Sequence, residues 1–118
     1  MKYSDLLVWQ KAMTLVEEVY RATRSLPARE RFGLCGQMQR AAVSIPSNIA
    51  EGHGRKSTGA FLNHLSVASG SVAELETQIQ IAERLGYLPV EESSRLRAEA
   101  GEVGRMLAGL RSSLDPKS

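Results

Sequence analysis

Apolar residues return along this chain at intervals of three and four, with polar residues between them. The clearest run is Phe61, Leu65, Ala68, Val72, Leu75, Ile79 and Ala82, which places all seven on one face of a long helix. Ser57 suits its N-cap, because a hydroxyl there can accept from the unpaired amides of the first turn. Gly86 suits its stop. A second run, Leu96, Ala100, Val103, Leu107, Leu110 and Leu114, predicts a helix whose first turn takes Pro89, where no amide hydrogen is needed. Glu91 and Glu92 then stand near the positive end of its dipole, and Pro116 lies beyond its far end.

Two more helices precede these. The first carries Leu6, Trp9, Met13, Val16 and Tyr20 on the face expected to enter the core, and Ser25–Leu26–Pro27 ends it. The second carries Leu34, Met38, Ala41, Ile45 and Ile49. Pro46 interrupts it, since the ring meets the carbonyl of Ala42 and one backbone bond is lost. The apolar run stays in phase to Ile49, which predicts a kink rather than a break. The four helices span about 5–24, 28–52, 57–85 and 89–114. On short connections they predict an all-α, up-and-down antiparallel four-helix bundle with a proline-kinked second helix, one domain over residues 1–118. A second apolar row on helix one (Val8, Ala12, Leu15, Val19), with Val67 and Ile81 off the main face of helix three, exceeds what one core requires. These residues predict a seam that buries a neighbouring subunit.

Composition adds limits. The 118 residues, 42% hydrophobic, suit one core. The N-terminus has no uninterrupted apolar stretch of the signal-peptide kind, and no apolar run approaches the roughly 18 residues of a membrane span. Cys35 is the single cysteine, a small apolar helix residue suited to a reducing cytosol. A cytoplasmic protein with no membrane partner is expected. The net charge of +2 is uneven: residues 1–60 hold nine Lys/Arg against five Asp/Glu, and residues 61–118 hold six against eight. That asymmetry permits a polyanion partner without demanding one.

One stretch invites a nucleotide: "AEGHGRKSTG", Ala50 to Gly59. A phosphate-binding P-loop needs a glycine, four residues, then Gly-Lys-Ser/Thr, entered from a strand. Here Gly52 and Gly54 are too close, Arg55 separates Gly54 from Lys56, and a helix precedes. The stretch reads better as a turn in which Gly52 or Gly54 takes the left-handed conformation and ends helix two. Arg55 and Lys56, just ahead of helix three, then form at most a generic anion site. Cys35 has no base nearby, since His53 belongs to the turn and Cys35 lies some five turns down helix two, roughly 27 Å away. His53 and His64 do not converge as metal ligands. No cofactor, metal or catalytic constellation is expected, and the chain reads as a non-enzyme.

A polar row on helix two, Gln37, Arg40, Ser44, Asn48 and Glu51, gives up helix propensity. It is either a half-buried network that fixes register or a recognition surface. Antiparallel packing sets Arg40 opposite Ser71 and Glu74 and predicts an Arg40–Glu74 bridge.

These residues also carry a resemblance. "DLLVWQKAMTLVEEVYRAT", "LPARERFGLCGQMQRAAVSIPSNIAEGHGR" and "FLNHLSVASGSVAELETQIQIAERLGYL" together resemble the four-helix proteins encoded in intervening sequences of bacterial 23S rRNA genes. The match runs from about Asp5 to Leu114. Its most specific part, "RAAVSIPSNIAEG", holds Arg40, Ser44, Pro46, Asn48, Glu51 and Gly52. The resemblance implies a bundle that assembles into homopentamers. A related accessory protein of diversity-generating retroelements has a basic surface and works with a reverse transcriptase and nucleic acid, which makes RNA or DNA the leading partner. A pentamer would carry about +10 and multiply a weak patch. Candidate contacts are Arg21, Arg24, Arg29, Arg31, Arg55 and Lys56, near helix ends and turns. The 1–2 and 2–3 turns fall at opposite ends of the bundle, so these six cannot form one compact site. With few of the six aromatics expected at the surface, backbone phosphates should dominate over stacking, and sequence preference should be weak. The alternative is an assembly module that binds a protein partner, such as a reverse transcriptase, with no direct nucleic-acid contact.

Overall fold

The apolar spacing becomes helix over most of residues 1–115, which the computed structural model describes. A short 3-10 turn (Tyr3–Asp5) leads into α1 (Leu7–Ala22), and two more (Thr23–Ser25, Ala28–Glu30) lead to α2 (Leu34–His53). Helices α3 (Thr58–Arg84) and α4 (Val90–Leu114) complete the chain, with no strand among the described residues. Pro116 lies outside them. No helix is long and apolar enough to cross a membrane.

Ser57 caps α3, its hydroxyl accepting from the Ala60 amide at 3.1 Å. Gly86, at φ +79°, stops the same helix: its amide donates to Glu83 and that of Tyr87 to Ala82, so two otherwise unpaired carbonyls are satisfied. Pro89 stands one place earlier than expected, as the residue before α4, with Glu91 and Glu92 in the first turn. Helix two begins at Leu34 rather than near residue 28. Gly33 stands before it with non-helical backbone angles, and the Glu30 carboxylate accepts from the Leu34 amide at 3.1 Å, satisfying one of the first-turn donors. The helix then runs unbroken through Pro46 to His53.

α1 packs on α2 and α4, and α3 packs on α2 and α4, so the four helices form a closed square 45 Å long. The pairs Glu18–Arg95 (2.8 Å) and Lys11–Glu102 (3.4 Å) step in opposite directions along α1 and α4, as antiparallel neighbours must. Leu15, Val19, Met38, Ile45, Ile49, Leu65, Leu75, Ile79, Leu96 and Leu107 fill the interior. The rows on α2, α3 and α4 are those the sequence predicts. On α1 the two rows change places: Val8, Ala12, Leu15, Val19 and Ala22 are buried, whereas Met13 and Tyr20 are exposed and Trp9 and Val16 half-buried. The buried row is slim and wholly apolar. Trp9 and Tyr20 each carry a polar atom that would need a partner inside, so the bulkier row is left at the rim.

α2 and α3 approach closely at Gly52. A Cβ added there would stand 2.6 Å from the Cβ of His64 and 3.0 Å from the Phe61 ring. Neither Gly52 nor Gly54 is left-handed: Gly52 lies within the helix and Gly54 has φ −76°. Gly52 serves packing, not chain reversal. From this contact a ladder runs along the seam. Ser71 donates to the Ser44 hydroxyl (2.9 Å), Asn48 donates to the Ser44 carbonyl and hydroxyl (2.9 and 3.0 Å), and Asn48 Oδ1 faces His64 Nδ1 (3.0 Å). Since Asn48 already donates through its nitrogen, His64 Nδ1 must carry the proton in this bond. Glu51 extends the ladder, 4.0 Å from His64 and 2.9 Å from Arg55. The expected Arg40–Glu74 bridge does not form. Ser44, not Arg40, meets Ser71, both Arg40 and Glu74 are exposed, and the Arg40 guanidinium lies back along its own helix over Gly36.

At the other end the loops interlock. Tyr87 donates its hydroxyl to Glu30 Oε2 (3.0 Å), and Ser25 donates to the Tyr87 carbonyl (3.1 Å). The Leu34 amide and then the Tyr87 hydroxyl hold the Glu30 carboxyl below its ordinary value of about 4.5. Arg21 and then Arg95 do the same for Glu18.

Two outcomes follow from this packing. Gly52→Ala should cost about 1–3 kcal/mol by overpacking, read as a lower urea midpoint at unchanged slope. Gly54→Ala, whose Cβ would come no nearer than 3.6 Å to another atom, should change little. For acid, the sign is set by carboxyls depressed in the folded state: their contribution is complete above the unfolded value and is lost as pH falls through the folded one. Urea titrations at stepped pH should therefore show stability dropping below about pH 4.5, and Glu30→Gln should be less stable at neutral pH with a shallower acid fall.

Candidate nucleic-acid interface

The row that α1 leaves outside borders a groove along its seam with α2. Toward the N-terminal end the groove is apolar, a hollow of about 350 Å³ between Trp9, Met13 and Val16 on one side and Val43, Pro46 and Ala50 on the other. Tyr3 closes it, edge-on to Trp9 with ring centroids 5.4 Å apart. Toward the 1–2 turn the character changes. Tyr20, Arg31, Phe32, Gln39 and Arg40 line a hollow of about 520 Å³, and Arg24 joins Tyr20, Arg31 and Gln39 around an adjoining one of about 350 Å³. No carboxylate lines either.

Local structure explains why these cations stay un-neutralised. Glu30, the nearest acid in sequence to Arg31, is committed to Leu34 and Tyr87. Arg24, Arg31 and Arg40 take part in none of the ion pairs among the described residues. The Arg40 guanidinium lies beside Gly36, where a Cβ would stand 3.1 Å from the Arg31 carbonyl oxygen and 3.2 Å from the guanidinium. Gln39 is held by a 3.1 Å bond to the Thr23 hydroxyl, which fixes one wall.

The six cations singled out by sequence separate. Arg24 and Arg31 share the groove. Arg21 pairs with Glu18, which also receives Arg95, and so belongs to the α1–α4 side. Arg29 is exposed on the 3-10 turn beside Glu30. Arg55 and Lys56 lie at the opposite end, Arg55 paired with Glu51 and Lys56 exposed. Of the polar row, Ser44, Asn48 and Glu51 join the α2–α3 ladder and Gln37 is exposed, while Pro46 and Gly52 of the same family segment are buried.

Sequence reasoning passed over Tyr20, Phe32 and Gln39 as contacts and left Arg40 between a structural network and a recognition surface. The expectation of few exposed aromatics is also corrected: Tyr3 is 44%, Tyr20 45% and Phe32 88% exposed. The signal was present in "RERFG", where Phe32 belongs to no apolar row and follows a cation directly. The Arg31 guanidinium stands 5.5 Å from the Phe32 ring centre, within cation–π range. As for other chemistry, no three His, Cys, Asp or Glu side chains among the described residues converge to hold a metal ion.

Comparison with known proteins places the fold. No curated protein matches the chain. Among solved structures, the bundle is similar to a protein of unknown function from the S23 ribosomal protein family of Bacteroides thetaiotaomicron VPI-5482. The TM-score is 0.83 at 22% identity, covering 89% of this chain and 98% of the other. At that identity the likeness concerns the fold. The family model of the 23S rRNA-intervening sequence protein matches residues 4–109, nearly the whole chain, and the protein belongs to that family.

Proposed function

We propose that this protein is a non-enzymatic, self-associating helical bundle that binds RNA or DNA through backbone phosphates, with Arg24, Arg31 and Arg40 as its principal contacts. The observation that carries this reading is the gathering of three guanidiniums without carboxylate partners on one groove. Guanidinium forks match phosphate oxygens geometrically and keep their charge at any physiological pH. The apolar half of the groove supports self-association, because Met13 and Val43 are exposed there beside the half-buried Trp9. A homopentamer would carry about +10 and present five such grooves to one polyanion. The lone Cys35 suits a reducing cytoplasm.

The test is fluorescence anisotropy of labelled RNA and DNA against purified protein, from low to physiological salt. Affinity should fall linearly on logarithmic axes, and each of Arg24→Gln, Arg31→Gln and Arg40→Gln should reduce the slope by roughly one while leaving the mass by light scattering unchanged. Arg55→Gln, at the far end and already paired with Glu51, should matter less. Flat traces at low salt from folded protein would sink the reading and favour a scaffold that binds a protein partner.

A further inference from the structure

The aromatic side chains of the groove carry more than phosphate binding requires. Phe32 sits on the turn before α2, 88% exposed, with its ring available to a partner from solvent. One face is turned to the Arg31 guanidinium 5.5 Å away, and exposure of this degree leaves the other face open. Tyr20, 45% exposed on the last turns of α1, lines the same hollow, which also holds Arg40 and Gln39. The hollow of about 520 Å³ lies within the range of sites that hold a small organic group. A duplex presents only phosphates and groove edges to such a site, because its base faces are stacked on one another. An unpaired base presents a free π-face.

We infer that this groove selects single-stranded nucleic acid, with one unpaired base stacked on Phe32 and the adjoining phosphates held by Arg31 and Arg40. The inference rests on the phosphate-binding reading above and names its substrate class. Arg31 has a double part: it backs the Phe32 ring by cation–π contact, and its remaining N–H groups can face a phosphate. Tyr20 offers a second, partly covered ring, and Gln39 a polar edge whose bond to Thr23 holds it in place. Because every base has a π-face, the site should tolerate sequence. It should not tolerate pairing.

The experiment compares one labelled 12-nucleotide RNA, single-stranded or annealed to its complement, in anisotropy titrations at fixed low salt. Wild-type protein should prefer the single strand. Phe32→Ala should weaken single-strand binding by roughly ten- to a hundredfold with duplex affinity and salt slope unchanged, and Phe32→Trp should restore it. Phe32 is exposed, so the Ala variant should melt as the wild type does, which circular dichroism checks alongside. If wild-type protein binds both forms and Phe32→Ala weakens neither, or weakens both equally, the inference falls and the phosphate reading stands. If Phe32→Ala instead changes the mass by light scattering, the ring packs against another copy of this chain and the inference is overturned. If the wild type binds neither form, both readings fall together.

Discussion

The absence of a side chain at residue 52 lets α2 and α3 pack as closely as they do there, since a Cβ would stand 2.6 Å from that of His64. At that crossing His64 and Phe61 occupy the space a methyl group would take. Everything along the seam is then in register: Asn48 reaches His64, and Ser44 reaches Ser71 one turn further on. Each of these polar groups would be costly half-buried and alone, so a slipped register loses several bonds at once. The same constraint sets the rotation of α2 and therefore its opposite flank. Ser44 marks the boundary between the two flanks: its hydroxyl accepts from Ser71, and it also lines the hollow that holds Tyr20, Gln39, Arg40 and Val43. The groove is a consequence of the seam.

This division resolves the polar row on helix two, which the sequence presents as one feature with two competing readings. Ser44, Asn48 and Glu51 are structural and join α2 to α3. Arg40 and Gln37 lie on the exposed part of the row. Residues at helical spacing share a face over a few turns, but a face is wide enough for one edge to be buried and the other wet.

Local chemistry was legible in the sequence. The Ser57 cap and the Gly86 stop depend on a few neighbouring atoms, and the rows of α2, α3 and α4 have a single apolar solution each. The rotation of α1 was not, because that helix has two apolar rows and hydrophobicity prefers the bulkier one, while the interior prefers the slimmer. Nor was the task of Gly52: glycine near a helix end usually signals chain reversal, and only the opposing helix reveals a close approach. The groove was half visible. Its arginines could be named as charged residues near a turn, but their convergence depends on Glu30 being occupied by Leu34 and Tyr87, the latter more than fifty residues away.

The two ends of the bundle are bound differently. At one, Ser25, Glu30 and Tyr87 bond across the 1–2 and 3–4 connections. At the other, the short link from α2 to α3 makes only neighbour bonds such as Arg55 to Gly52 and Gly54 to Ala50. The entropy of closing a loop rises only with the logarithm of its length, so extra residues spliced between Gly54 and Lys56 would sever no long-range bond and cost little. The link is thus an attachment point, where a tag or a second folded unit can be carried at the end of the bundle opposite the arginines of the groove.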